Sequence, residues 1–279
     1  MVAQRGVALA IVVWFIAGMS LLVAGIVAHA RIDTRTTQIH LARAKAIAAG
    51  DGAIYLAMME RDQGFESSGQ GPMISDTRHR LGELEVRVQI APASGFVDLN
   101  KASEQVMAAL FSFAGGLETG EAKIVADNVV KWRLNQGAQQ ERRFSRAGSR
   151  TFYSLEDVLR VDGVSRALLD GIRDYVAVGS WTSGSMNWSA SPGDMMEVLT
   201  ALNPEQSDSI GRRREAMSQA GGSRVTRRAT NTGAFRADAY VEYGGRTWLR
   251  RRWLRRESGG DSSLPWRVVR TEAPRVVAT

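Results

Sequence analysis

The chain has 279 residues, 44% of them hydrophobic, enough for a membrane anchor and one or two compact domains. It contains no cysteine, which excludes disulfides, thiolate metal sites and a cysteine nucleophile. The net charge of +7 is dominated by arginine, largely in the C-terminal third, and fits either a solvated basic face or acidic partners.

Arg5-Gly6 leads directly into an uncharged apolar run, Val7 to Ala28, whose only hydroxyl is Ser20. About 22 helical residues at 1.5 Å each span roughly 33 Å, sufficient to cross the hydrocarbon core of a bilayer. Three readings compete. A secretory signal peptide finds a cleavage motif at Ala28-His29-Ala30, but its apolar core would be too long. A plain signal anchor gives Gly6 no role. A prepilin-type leader, residues 1–6, would be cut between Gly6 and Val7 and would leave the apolar run as an N-terminal helix. This third reading accounts for both the glycine and the length.

The helix is expected to continue to about Asp62, because apolar residues return at helical spacing between Thr36 and Arg61. Gly50 and Gly52 weaken it locally, and residues 64–71 read as a loop. Residues Leu81 to Ala91 alternate apolar and polar with period two, which predicts a half-buried strand. From Phe96 to about Met217 the pattern turns helical, with helices expected at Ser103–Phe113, Thr119–Trp132, Ser154–Arg160, Ser165–Val176 and Asp194–Leu202. Strands then return at Phe235–Tyr243, Arg246–Arg255 and Trp266–Val269, the first two joined by a Gly244-Gly245 hairpin turn. The predicted class is α+β: a long N-terminal helix, half of it in the membrane, packed on a small antiparallel sheet. A helix-hairpin-helix-like (SAM-like) all-helical domain, 96–217, interrupts an α/β domain formed by 63–95 and 218–279.

Catalytic motifs are missing. The three histidines, His29, His40 and His79, are scattered, and no HExxH, Gly-x-Ser-x-Gly, P-loop or dinucleotide fingerprint occurs, so the chain reads as non-enzymatic. Two short helices joined by Val161-Asp162-Gly163-Val164 look like a helix-hairpin-helix, whose backbone amides can hold phosphates. Asp162 would repel phosphate, and only Arg160 and Arg166 flank the turn, so nucleic acid is not expected as a partner. The run Arg246–Arg256 is expected to be an arginine-rich edge strand that resists edge-to-edge pairing. An acidic partner surface is the competing reading of that run.

In order and spacing these pieces resemble the K-type minor pseudopilins of bacterial type II secretion systems (the GspK family), over nearly all of the chain. The resemblance rests on Arg5-Gly-Val-Ala-Leu9, Phe96-Val-Asp-Leu-Asn100, the helix ending at Trp132, Ser154 to Val164, and Asn187 to Leu199. It implies a single-pass protein of the bacterial inner membrane with its C-terminal domain in the periplasm, processed by prepilin peptidase at Gly6 and Val7. It implies a non-enzymatic subunit at the pseudopilus tip that binds the I- and J-type minor pseudopilins and meets secreted proteins. Pilins of this class usually carry Glu at the fifth mature position, here Ile11. A carboxylate in the bilayer is costly unless paired, and a tip subunit has no neighbour ahead to pair with it. The apolar face at Ile39, Ala46, Ile47, Ala53 and Ile54 is the expected partner seam. The family's Ca²⁺ loop would follow Trp132, but here Glu141 is a single carboxylate among arginines, so no cofactor is expected. A minor pilin of a type IV pilus-like machine, or a membrane-anchored DNA-binding protein using Val161–Val164, are the alternatives.

Overall fold

The computed structural model describes residues 5–68, 74–134, 151–179, 186–219, 233–257 and 264–277. It is α+β. The first element, α1 (Arg5–Ser68), is one unbroken helix of 64 residues, about 96 Å long at the standard rise. It runs through the glycines at 50 and 52 and through part of the stretch expected as a loop.

Strands β1 (Ser75–Leu81) and β2 (Leu84–Pro92) form a hairpin. Its turn is Gly82-Glu83, with Gly82 at φ +61°. The sequence predicted a single strand from Leu81. Instead Leu81 ends β1, whose polar, histidine- and arginine-bearing sequence hid it. In β2, Val86, Val88 and Ile90 face the core and alternate with exposed Glu85 and Arg87, the periodicity that made this strand visible.

The chain leaves the sheet after Pro92 and returns at Ala234. Between these points lie β3 (Val97–Asp98), α2 (Glu104–Phe113), α3 (Thr119–Leu134), a 3₁₀ segment Leu155–Arg160, α4 (Arg166–Ile172), β4 (Val176–Ala177), α5 (Met195–Leu202) and α6 (Pro204–Gln219). Ser103 and Ser165 cap α2 and α4 by accepting bonds from Val106 N and Leu168 N. β3 and β4 pair in parallel and tie the start of this region to its middle. Its core is apolar, with Leu99, Leu110, Phe111, Phe152, Leu168 and Ile172 fully buried. Trp132 stacks on Phe152 with centroids 4.2 Å apart. Asn100 closes the ring by bonding both N and O of Phe152.

The sheet resumes with β5 (Ala234–Tyr243), β6 (Arg246–Arg256), β7 (Trp266–Thr271) and β8 (Arg275–Val277). All pairings are antiparallel, in the order β1-β2-β5-β6-β7. β8 also pairs with β6, so β7 and β8 share one side of that strand end to end, with a break at residues 272–274. Gly244 and Gly245 both have positive φ, as a two-residue type I′ turn requires. The arginine-rich β6 is therefore central, not the edge strand the sequence suggested.

α1 packs across one sheet face through Ala42, Ala46, Ala49, Ala53, Ile54 and Ala57. Gly50 marks the closest approach. A Cβ there would stand 2.7 Å from Arg250 Cβ, so the glycine that weakens the helix is what lets it seat. The opposite sheet face meets the helical region through a smaller cluster that includes Phe96 and Trp253, packed edge to face with centroids 5.6 Å apart.

Candidate functional site: the long helix and its arginine clasp

α1 has three environments along its length. Its N-terminal part is strongly apolar, and none of that stretch is buried. Gly6 and Val7 lie in its first turns, and Ile11 is exposed with its neighbours. Length and composition suit a membrane span.

Further along, the expected partner seam divides. Ala46, Ala53 and Ile54 are fully buried against the chain's own sheet, which removes them from any partner surface. Ile47 is half-buried, while Ile39, beyond the body of the sheet, keeps 40% of its surface exposed. The correction has a simple cause. The residues nearest the sheet are alanines, whose small side chains let helix and sheet close tightly, so the sheet covers the whole alanine face.

The third environment faces outward and was missed in the sequence. Leu41 (51% exposed), Leu56 (41%) and Met59 (45%) point away from the sheet, with Ala44 and Ala48 exposed between them. The available signal was position: residues 41, 44, 48 and 59 recur on the side of the helix opposite the buried stripe of Ala42, Ala46, Ala53 and Ala57.

The seam between helix and sheet is fastened by β6. Its even-numbered arginines reach α1: Arg250 Nε donates to Asp51 Oδ1 at 2.7 Å, and Arg252 Nη2 to Asp51 Oδ2 at 2.6 Å. Arg256 meets Asp62 at 2.8 Å. Odd-numbered Arg251 points to the other face, where it binds Asp238 through Nε at 2.6 Å and Nη2 at 2.9 Å. Its Nη1 donates to Asp174 Oδ1 at 2.6 Å, and Asp174 belongs to the helical region. Arg275 bonds the same carboxylate, and Arg236 donates to the Asp174 carbonyl. One strand thus grips the long helix with one face and the helical region with the other.

Burial works against Arg251, but Asp238, Glu272 and Asp174 outweigh it and hold the guanidinium above its ordinary value. Burial would likewise raise Asp174, yet Arg275 and Arg251 hold its carboxyl well below the usual carboxylate range. Burial lowers Arg236 to about 10, still charged at neutral pH. These shifts belong to a structural network of ion pairs joining the sheet to the helical region.

The helix-hairpin-helix turn packs against α3 on one side and leaves Asp162 and Gly163 exposed on the other. Gly163, at φ +85°, sits against α3, and a Cβ there would stand 2.9 Å from Val125 Cγ2. Asn128 Nδ2 donates to the Asp162 carbonyl at 3.0 Å. Arg160 pairs with Asp157, and Arg166 with Asp170. The turn is a packing joint, and its first arm is 3₁₀, not α-helical.

Among the described residues no group of three or more His, Cys, Asp or Glu could hold a metal. The stretch after Trp132 that bears Glu141 lies outside the described residues.

No protein-family model matches the chain, and no curated protein is similar to it in sequence. Among solved structures it is similar to a chain of the GspK–GspI–GspJ complex from the type 2 secretion system of enterotoxigenic Escherichia coli. The identity is 13% and the TM-score 0.47, over 88% of this chain and 100% of that one. At this level of identity and overlap the likeness assigns neither family nor function.

Proposed function

We propose that the chain is a K-type minor pseudopilin: a non-enzymatic, membrane-anchored subunit at the tip of a type II secretion pseudopilus. The observation that carries the reading is α1 itself, a single helix whose exposed apolar end suits a bilayer and whose far half is clasped to an antiparallel sheet. A subunit so built can be lifted from the membrane without unfolding, because the anchor and the folded domain share one rod. The sequence pieces from Arg5 to Leu199 support the same assignment.

On this reading prepilin peptidase cuts between Gly6 and Val7. Ile11 replaces the usual Glu because the tip has no subunit ahead of it. The C-terminal domain lies in the periplasm, where it can meet secreted proteins. The I- and J-type partners pack on the outward stripe of Leu41, Ala48, Leu56 and Met59, where burial would gain about 25 cal/mol per Å² before the costs of association.

Co-purification of the three periplasmic domains tests the assembly. Leu56→Glu with Met59→Glu should abolish the complex while leaving the fold intact, since both side chains are exposed. Retention of the complex by that variant would move the interface elsewhere. Mass spectrometry of protein from its native membrane should give a terminus at Val7. A terminus at Arg31 would mean a secreted protein and would end the pseudopilin reading.

A further inference from the structure

At the end of the sheet nearest the apolar run, the β5–β6 hairpin leans against α1 and leaves a groove of about 500 Å³, bordered by Arg35, Gln38, Ile39, Tyr243, Arg246 and Trp248. Its character differs from the rest of the helix–sheet seam. Elsewhere in that seam, Arg250, Arg252 and Arg256 each meet a carboxylate of α1. Among the described residues neither Arg35 nor Arg246 does. Lys45 adds a third cation nearby, 4.8 Å over the Tyr243 ring. Trp248, only 5% exposed, lines the groove beside Ile39. Two unmatched guanidinium groups over this apolar wall describe a receptor for an amphipathic anion.

Position says which anion. Arg35 follows Ala28 by seven residues, about 10 Å along the helix, and Arg side chains extend toward headgroups from such positions. Arg31, Arg35 and Arg43 follow the apolar run, whereas Arg5 alone precedes it. In the orientation proposed above, that basic flank lies on the translocated side, where such flanks are disfavoured. A layer of anionic headgroups supplies the missing counter-charge. We propose that the groove between α1 and the β5–β6 hairpin holds the phosphate headgroup of an anionic phospholipid from the bilayer that α1 enters. The proposal rests on the membrane anchor and orientation of the pseudopilin reading.

The test uses the full chain in neutral detergent, titrated with dioctanoyl phosphatidylglycerol, dioctanoyl phosphatidylcholine or inorganic phosphate. Native mass spectrometry should find one phosphatidylglycerol retained per chain, with a rise of several degrees in Tm. Phosphatidylcholine should give neither. The double variant Arg35→Glu, Arg246→Glu should lose retention at least tenfold, while Arg43→Glu, the same charge change outside the groove, should keep it. If the double variant misfolds by circular dichroism, Arg246→Gln at the exposed start of β6 serves instead, with a severalfold loss expected. Equal retention of both lipids, or retention by the groove variants, would overturn the proposal. An equal Tm shift from inorganic phosphate would reduce the groove to a free-anion site and overturn the lipid assignment. A topology reporter placing the C-terminal domain in the cytoplasm would break the pseudopilin reading without touching the lipid measurement, so the two failures are distinguishable.

Discussion

The helical region and the helix–sheet seam are both well buried, but they are built from different materials. The helical region closes over large side chains, Phe111, Phe152, Leu168 and Ile172 among them, each contributing about 1.5–3 kcal/mol on full burial. The seam under α1 sets five alanines, Ile54 and Met58 of the helix against a sheet face of valines, alanines, Ile90, Leu254 and two tryptophans. It adds close fit at Gly50 and charge, through carboxylates placed opposite the arginines of β6. The contrast teaches that the two regions should fail by different routes: one by cavities, the other by loss of a charge partner.

The largest effect should come from Asp238→Ala, which leaves the buried guanidinium groups of Arg251 and Arg236 short of their shared carboxylate. Breaking a buried pair by removing one partner costs about 3–5 kcal/mol. Leu168→Ala, in the other region, should cost about 2–5 kcal/mol by leaving a cavity. Urea denaturation of volume-conserving variants separates the routes. Asp238→Asn, which keeps the shape and removes the charge, should remain strongly destabilising, whereas Leu168→Met should cost less than about 1.5 kcal/mol. Equal losses in the two variants would erase the distinction between the two regions.

A smaller effect is expected in acid. Asp174 titrates well below an ordinary carboxylate in the folded chain. A carboxyl group depressed by folding adds stability above its unfolded pKa of about 4, and that stability drains away as pH falls below it. Asp174→Asn should therefore lower Tm at pH 7 and flatten its decline below about pH 4. Parallel Tm curves for variant and parent would assign the acid sensitivity elsewhere. The smallest effect expected is none at all: Tm in EDTA should equal Tm in Ca²⁺. A rise of several degrees with Ca²⁺ would reveal binding to the folded state and restore the cation site after Trp132.

The parts of this architecture that repeat were legible in the sequence. The period-two run at Val86, Val88 and Ile90, the Gly-Gly turn, and the cap at Ser103 all follow from local rules, and they set the α+β class. What escaped is what depends on distant partners. β1 carries Arg78, His79 and Arg80, and it is a strand only because β2 offers its edge. α6 lacks an apolar stripe and is held partly by Arg214, which bonds the carbonyls of Trp188 and Ser191. The arginines of β6 looked like surface because the carboxylates that bury them, Asp51, Asp174 and Asp238, lie up to 201 residues away in sequence. The error at Ala46, Ala53 and Ile54 came from reading one apolar face where the helix has two, the sheet taking the one that holds these residues.

The departure of the chain after Pro92 and its return at Ala234 also sets the order in which the molecule can form. Pro92 and Phe235 are partners across one strand pair, yet about 140 residues separate them. Closing so long a flexible loop costs about 4 kcal/mol in chain entropy. If the helical region folds first, its paired β3 and β4 gather the loop, and most of that cost is met before β5 seeks β2. The sheet would then wait on the helices. Leu168→Ala, in a core cluster that holds no residue of β1, β2 or β5–β8, should slow refolding of the sheet more than it speeds unfolding, as a stopped-flow chevron would register.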